Sequence, residues 1–253
     1  MALDKYRRDV ILTALEREGR VRLAALAQSL DVSPMTIRRD LNDLEAAGLL
    51  IRVHGGAVST AAGESRSTGV RWTLNTSAKE RIGAAVAQLI PLGSRVILDT
   101  GTTVAEVARQ LRGKELEVIT ASLPAASILG DDPTTRLTML GGRVRPESLT
   151  VIGTDTEDAI RRFKADFCVL GTPGLANNAF YSLYPSEVAA QRAIIESSAT
   201  SLLVADRTKM GLRQGVRVAS LSELSAIVTD APLDSSVGDD LPRVIVAQED
   251  VEA

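Results

Sequence analysis

Residues 31–58 run Asp31-Val-Ser-Pro-Met-Thr-Ile-Arg-Arg-Asp-Leu-Asn-Asp-Leu-Glu-Ala-Ala-Gly-Leu-Leu-Ile-Arg-Val-His-Gly-Gly-Ala-Val58. Asp31-Val32 makes a turn. Ser33 offers a side-chain oxygen for a helix N-cap, and Pro34 carries a φ already suited to the first helical position. Ile37, Leu41 and Leu44 fall at i, i+4 and i+7, which is one apolar stripe on a helix. Gly48 ends that helix. Leu49-Leu-Ile-Arg-Val53 then reads as a strand and His54-Gly-Gly-Ala57 as a turn. Upstream, Leu23, Leu26, Ala27 and Leu30 form a second short helix, preceded by the short alternating Val21-Arg22-Leu23. Val10, Ile11, Ala14 and Leu15 place a first helix over residues 4–18, which Gly19-Arg20 stops. Two short helices joined by a tight turn, then a strand and a glycine turn, predict a winged helix-turn-helix over residues 1–58.

In such a unit the second helix of the pair enters the DNA major groove with its N-terminal residues toward the base edges. Here that end carries Ser33, Met35, Thr36, Arg38 and Arg39. With Ile37, Leu41 and Leu44 turned inward, these residues face outward. An Arg can grip guanine bidentately, and Ser or Thr can meet phosphates or bases. Arg52 and His54 sit where a wing would touch the DNA backbone or minor groove, and His54 could equally order the wing turn. Taken alone, Arg38-Arg39-Asp40 is an ordinary solvated helix face. The conjunction of turn, Ser-Pro cap, Thr-Ile-Arg-Arg-Asp and His-Gly-Gly-Ala is far more specific.

The charge balance agrees. The net charge is -3 over 253 residues. Residues 1–60 hold nine Lys or Arg against eight Asp or Glu, whereas the remainder holds 20 against 24. An acidic whole argues against a non-specific nucleic-acid coat but leaves room for a local DNA-reading module. The 45% hydrophobic and 24% charged content is that of a globular chain with a core. One cysteine, Cys168, and one histidine, His54, exclude a disulfide framework and a multi-Cys/His zinc site. No run approaches 18 apolar residues, and the first residues contain no signal core, so the expected location is the cytoplasm, away from any membrane.

The segment from Val58 to Gly69 is small, polar and aperiodic, so residues 59–76 read as a linker. From residue 77 to 253 the pattern is α/β. Helical runs at Ser77–Ile90, Val104–Leu111 and Leu123–Leu129 alternate with apolar runs at Arg95–Leu98, Leu116–Thr120 and Arg136–Leu140. Further runs follow at Ala165–Leu170, Ser201–Ala205, Ala226–Thr229 and Val244–Val246. That alternation predicts a mostly parallel sheet with helices on both faces. Ligands of such sheets bind outside the carboxyl ends of the strands. Five polar turns collect there: Asp99-Thr-Gly-Thr-Thr103, Thr120-Ala-Ser122, Gly141-Gly-Arg143, Gly171-Thr-Pro-Gly174 and Asp206-Arg-Thr-Lys209. Each alone could be an ordinary turn. The first combines a glycine, two hydroxyls and free amides at a helix start, which suits a phosphate. Asp99 would repel phosphate and better suits a sugar hydroxyl.

At this point the chain resembles the DeoR family of bacterial transcription regulators. The resemblance rests on Leu26-Ala27, Val32-Ser33, Thr36-Ile-Arg-Arg-Asp-Leu41, Leu44-Glu45, Gly48 and Arg52-Val-His-Gly-Gly-Ala57 in the first part. In the second it rests on Asp99-Thr-Gly-Thr-Thr103, Thr120-Ala-Ser-Leu-Pro124, Leu140-Gly-Gly-Arg143 and Ala205-Asp-Arg-Thr-Lys-Met-Gly211. The resemblance implies an effector domain similar in fold to ribose-5-phosphate isomerase and responsive to a phosphorylated sugar. The ligand shell it implies is Asp99, Gly101, Thr102, Thr103, Thr120, Ser122, Arg143, Glu187, Arg192 and Lys209. Ala121, Pro173 and Gln191 depart from the family pattern, in which Asn, a polar residue and Lys are common at those places.

The expected function is therefore a sequence-specific transcription regulator, a repressor of a carbohydrate-use operon. It would bind double-stranded operator DNA as a homo-dimer or homo-tetramer and need no cofactor or metal. A phosphosugar isomerase with an appended DNA-binding head is the competing reading. It is disfavoured because isomerisation needs a general base and a charge stabiliser beside the carbonyl, and no such pair stands out.

Overall fold

The computed structural model describes residues 2–18, 20–46, 49–53, 55–59, 71–72 and 74–247. The chain divides into two compact units, Met1–Arg71 and Trp72–Ala253. Most of the expected linker, residues 60–70 and 73, lies outside the described residues, as does His54.

In the first unit, α1 (Ala2–Glu18) leads into β1 (Arg20–Arg22), α2 (Leu23–Ser29), α3 (Pro34–Ala46), β2 (Leu50–Val53) and β3 (Gly56–Ser59). Ile11, Leu12 and Leu15 of α1, Leu26 and Ala27 of α2, and Ile37, Leu41 and Leu44 of α3 are buried. The apolar stripe read from the sequence is thus the inner face of α3. The hairpin of β2 and β3 follows the tight turn, with Val53 opposite Gly56. One expectation needs correction. Gly56-Ala57 is not turn but the start of β3, the central strand of a sheet ordered β1-β3-β2. Its partner β1 comes from more than 30 residues upstream and pairs Arg22 with Gly56. A side chain at Gly56 would collide with the Val21 carbonyl oxygen, 2.0 Å from the position of a Cβ. Glycine is required there by the close backbone approach.

Asp40 is the other surprise. It is buried, and its carboxylate accepts from Arg7 Nη2 at 3.0 Å and from Arg7 Nε, with Arg8 Nε at 3.6 Å. The third residue of Arg38-Arg39-Asp40 therefore locks α3 to α1, while its two neighbours face solvent.

The second unit contains α4 (Thr76–Leu89), β4 (Arg95–Leu98), α5 (Thr102–Leu111), β5 (Leu116–Thr120), α6 (Leu123–Leu129), β6 (Thr135–Met139), β7 (Arg143–Arg145) and β8 (Thr150–Ile152). It continues with α7 (Thr154–Arg161), β9 (Ala165–Gly171), β10 (Leu175–Ala176), β11 (Ala179–Ser182) and α8 (Pro185–Glu196). It ends with β12 (Ser198–Val204), β13 (Val216–Ser220), β14 (Ala226–Thr229) and β15 (Arg243–Val246). Seven strands form one sheet ordered β15-β14-β12-β9-β4-β5-β6, and every pair in it is parallel. The α/β class expected from the alternation is what the chain adopts.

Alternate residues of each strand enter opposite cores. Val96 and Leu98 pack with Ile82 and Val86 of α4, Val104 and Val107 of α5, and Leu129 of α6. Ile97 packs on the other face with Ile160 of α7, Ile194 of α8, Phe180 of β11 and Val218 of β13. Both faces are covered, as a parallel sheet requires. The sequence reading missed the β7–β8 hairpin and the small antiparallel sheet β10-β11-β13. Their strands are short, and β13 joins β11 from more than 30 residues away, so no local periodicity marks the pairing. Cys168 is fully buried on β9. Burial pushes its thiol up to about 12, which leaves it a neutral packing group.

Candidate functional site

The outward face of α3 carries the residues proposed for DNA. Ser33 caps the helix: its Oγ accepts from the Thr36 N–H at 3.1 Å and lies 2.9 Å from Thr36 Oγ1. Met35 is 67% exposed, and Arg38 and Arg39 are exposed one turn further on. Arg52, on β2, is tied to α3. Its backbone N–H donates to Glu45 Oε1 at 2.8 Å, and its guanidinium donates to Asn42 Oδ1. It braces the wing strand against α3, through an Asn42 that the sequence reading passed over.

The second unit has one topological switch point. From β4 the chain moves through β5 to β6 on one side. It returns to β9 on the other side of β4 and proceeds through β12, β14 and β15. The carboxyl ends of β4 and β9 therefore flank a crevice of the kind that holds ligands in open parallel sheets. Asp99 stands directly in it. Its N–H donates to Val169 O at 3.0 Å. Its Oδ2 accepts from Gln191 Nε2 at 2.9 Å and from the Gly171 N–H at 3.3 Å. Burial raises the Asp99 carboxyl, the Gln191 and backbone hydrogen bonds oppose this, and the nearby Glu187 charge adds to it; the outcome is about 7.

Two residues on, Gly101 has φ +114°, a conformation that L side chains rarely adopt. It starts α5, whose first turn is Thr102 and Thr103. Thr102 is buried and Thr103 half-buried. The Thr100 hydroxyl donates to Ser148 O at 3.2 Å, which ties this loop to the β7–β8 connection.

A cleft opens beside these groups. Asp99, Thr100, Thr150 and Glu187 line it among apolar side chains that include Leu140, Ile152, Ile160 and Ile194. Glu187 is held by Ser148 Oγ at 2.7 Å and Ser182 Oγ at 3.4 Å. Arg145 Nε lies 3.9 Å from its Oε1. The Arg145 guanidinium rests 4.3 Å from the centre of the Tyr184 ring and donates to Ser186 Oγ.

The fold thus gathers Asp99, Gly101, Thr102, Thr103 and Glu187 around the switch point. Thr120 and Ser122 are close by, but their hydroxyls serve the chain. Thr120 Oγ1 donates to Leu98 O at 2.8 Å and accepts from the Ser122 N–H at 3.0 Å. Ser122 Oγ caps α6 by accepting from the Ala125 N–H at 3.3 Å. Arg143 is exposed on β7, and Arg192 is exposed on α8. Lys209 lies in the 3-10 turn Arg207–Lys209, which Asp206 caps. Two residues beside the site were not singled out as members of it. Arg145 sits two positions along from Arg143, where only the β7–β8 pairing brings it to Glu187. Gln191 lies four residues after Glu187, a spacing that already puts both on one helix face and Arg192 off it. Among the described residues, no group of three or more His, Cys, Asp or Glu is placed to hold a metal ion. No helix among them is long and apolar enough to cross a membrane.

Comparison with known proteins gives the two units their kinship. A family model described as the DeoR C terminal sensor domain matches residues 74–231, and one described as the DeoR-like helix-turn-helix domain matches residues 7–62. The chain belongs to the DeoR family. Its DeoR-family relatives include the glycerol-3-phosphate regulon repressor of Escherichia coli, 36% identical over 233 residues, covering 91% of this chain and 92% of that protein. The repressor CsqR of the same organism is 32% identical over 250 residues, covering 96% of each chain. The repressor GlcR of Bacillus subtilis is 29% identical over 221 residues, 87% of this chain and 86% of that protein. Among solved structures, ribose 5-phosphate isomerase A from Methanocaldococcus jannaschii is similar with a TM-score of 0.40, at 14% identity over 53% of this chain and 54% of that one.

Proposed function

We propose that this DeoR-family protein is a transcription repressor whose winged helix-turn-helix reads operator DNA and whose switch-point cleft binds a phosphorylated sugar or polyol. The observation that carries the effector half is Asp99, buried at the β4–β9 crevice two residues before the Gly101–Thr103 helix start. The amides and hydroxyls there suit a phosphate, and Asp99 and Glu187 suit ligand hydroxyls. On the DNA side, Arg38 and Arg39 are exposed on an α3 whose apolar face is wholly buried. Ser33, Met35 and Thr36 complete the reading edge. Arg52 contributes by bracing the wing. Relatives are named for glycerol 3-phosphate control, which makes that compound the first probe.

The cleft binds without turning over. An isomerase reading would assign Asp99 as a base, and turnover of ribose 5-phosphate that Asp99→Asn abolishes would overturn the proposal. The protein acts in the cytoplasm as a homo-dimer or homo-tetramer, since helix-turn-helix heads read half-sites in pairs. Light scattering of the full chain tests this, and a monomer at micromolar concentration would rule it out.

Arg38→Ala is expected to weaken operator binding by about 1–3 kcal/mol with folding intact. A gel-shift titration on operator DNA measures it, and unchanged affinity would remove Arg38 from the recognition surface. Thr102→Val keeps the shape of a buried side chain and deletes its hydroxyl. It should leave DNA affinity unchanged and weaken effector response by about 1.5–3 kcal/mol, roughly tenfold or more in half-saturating concentration. An unaltered titration would place the phosphate elsewhere.

A further inference from the structure

Met35 is the second residue of α3 (Pro34–Ala46). At about 3.6 residues per turn, it leaves the helix opposite the buried stripe of Ile37, Leu41 and Leu44. Arg38 and Arg39, three and four positions on, share its face and are both exposed. The centre of the outward face is thus a thioether flanked by two guanidiniums. Among the described residues of the first unit, Met35 and Tyr6 are the large apolar side chains left exposed, and Met35 carries no hydrogen to donate. The polar groups around it are engaged within the chain. Ser33 Oγ lies 2.9 Å from Thr36 Oγ1 and accepts from the Thr36 N–H. Asn42, two turns beyond Met35, accepts from the Arg52 guanidinium. Asp40 is buried against Arg7.

We propose that Met35 reads thymine: its side chain packs on the 5-methyl group of a thymine in the operator's major groove, beside a base pair that Arg38 or Arg39 contacts. This deepens the DNA reading above and rests on it. The base edges dictate the choice. In the major groove guanine shows two acceptors, adenine an acceptor and a donor, and cytosine a donor. A thioether pressed onto any of these strips water from a polar group and returns at most a weak acceptor. Thymine alone presents an apolar methyl there. Methionine suits that contact because its unbranched, polarizable chain adapts its shape to the group it meets. The flanking arginines grip guanine or phosphate and hold the helix in the groove.

The test starts from the full chain and a library of random DNA duplexes, from which bound sequences are enriched. Deoxyuridine then replaces thymine at each position of the enriched site in turn; the two bases differ only by the methyl. At one position of each half-site the wild-type affinity should fall about fourfold, the loss expected for one buried methyl-sized group. Met35→Ala should bind the thymine and deoxyuridine duplexes alike at that position, and should melt no lower than wild type because the residue lies on the surface. Met35→Leu, which keeps an apolar chain of similar size, should retain the preference. Arg38→Ala should weaken binding to both duplexes and keep their ratio. If no position responds to the methyl, or if the preference survives in Met35→Ala, the assignment of Met35 is overturned while the DNA reading stands. Enrichment of no sequence at all would take down both.

Discussion

Asp40→Ala should destabilise the winged helix-turn-helix by about 3–5 kcal/mol, the usual consequence of stripping one partner from a buried ion pair. The Arg7 side chain is only 13% exposed and Asp40 4%. Removing the carboxylate therefore takes the partner on α3 from a guanidinium that has little water to receive it. A unit of roughly 60 residues has a total stability of about 3–9 kcal/mol at the usual 0.05–0.15 kcal/mol per residue, so the loss is comparable to all it has. Amide exchange should show the α3 amides losing protection while those of the seven-stranded sheet keep theirs. Operator binding should disappear with the fold, in contrast to Arg38→Ala, where only binding changes. Native protection of α3 in the Asp40 variant would mean that the other surroundings of Arg7 and Arg8 make up for the lost carboxylate.

Asp99→Asn should abolish a pH dependence. The folded-state carboxyl is raised from 3.8 to about 7 by burial. A raised acid binds its proton more tightly in the folded chain than in the unfolded one. Its contribution to stability is therefore complete below about pH 4 and is lost as pH rises through 7. At about 1.4 kcal/mol per unit, keeping Asp99 ionised at pH 8 costs the second unit roughly 4 kcal/mol. Asparagine retains a carbonyl for the Gln191 and Gly171 donors and has no charge to bury. The wild type should lose melting temperature between pH 5 and pH 8. Over that range the Asn variant should stay level and melt higher at pH 8. Parallel curves for the two proteins would show that Asp99 is solvated in a way the buried crevice does not allow. That the chain keeps a carboxylate at such cost fits a group reserved for a ligand.

Much of this was legible from local pattern. Ser33-Pro34 and the stripe of Ile37, Leu41 and Leu44 announced α3, and the apolar runs named all seven strands of the main sheet. Those signals are short-range: a cap, a 3.6-residue period, a run bounded by turns. The place of the Asp99–Thr103 loop was also legible, because an apolar strand run ends just before it and a helical run begins within it.

What stayed hidden was non-local. Asp40 looked like one more solvated charge until α1 brought Arg7 to it. Gly56 read as turn until β1 paired with it, and Arg145 is a site neighbour only because β7 folds back on β8. Thr120 and Ser122 have the right chemistry for a ligand, yet their hydroxyls are spent on Leu98 and on the α6 cap. The amino-acid order by itself determined α3, the seven strands of the main sheet and the place of the loop at the switch point, since each is encoded within a dozen residues. Only the tertiary structure decided which polar atoms are satisfied within the chain, because that depends on partners that packing alone brings within hydrogen-bonding distance.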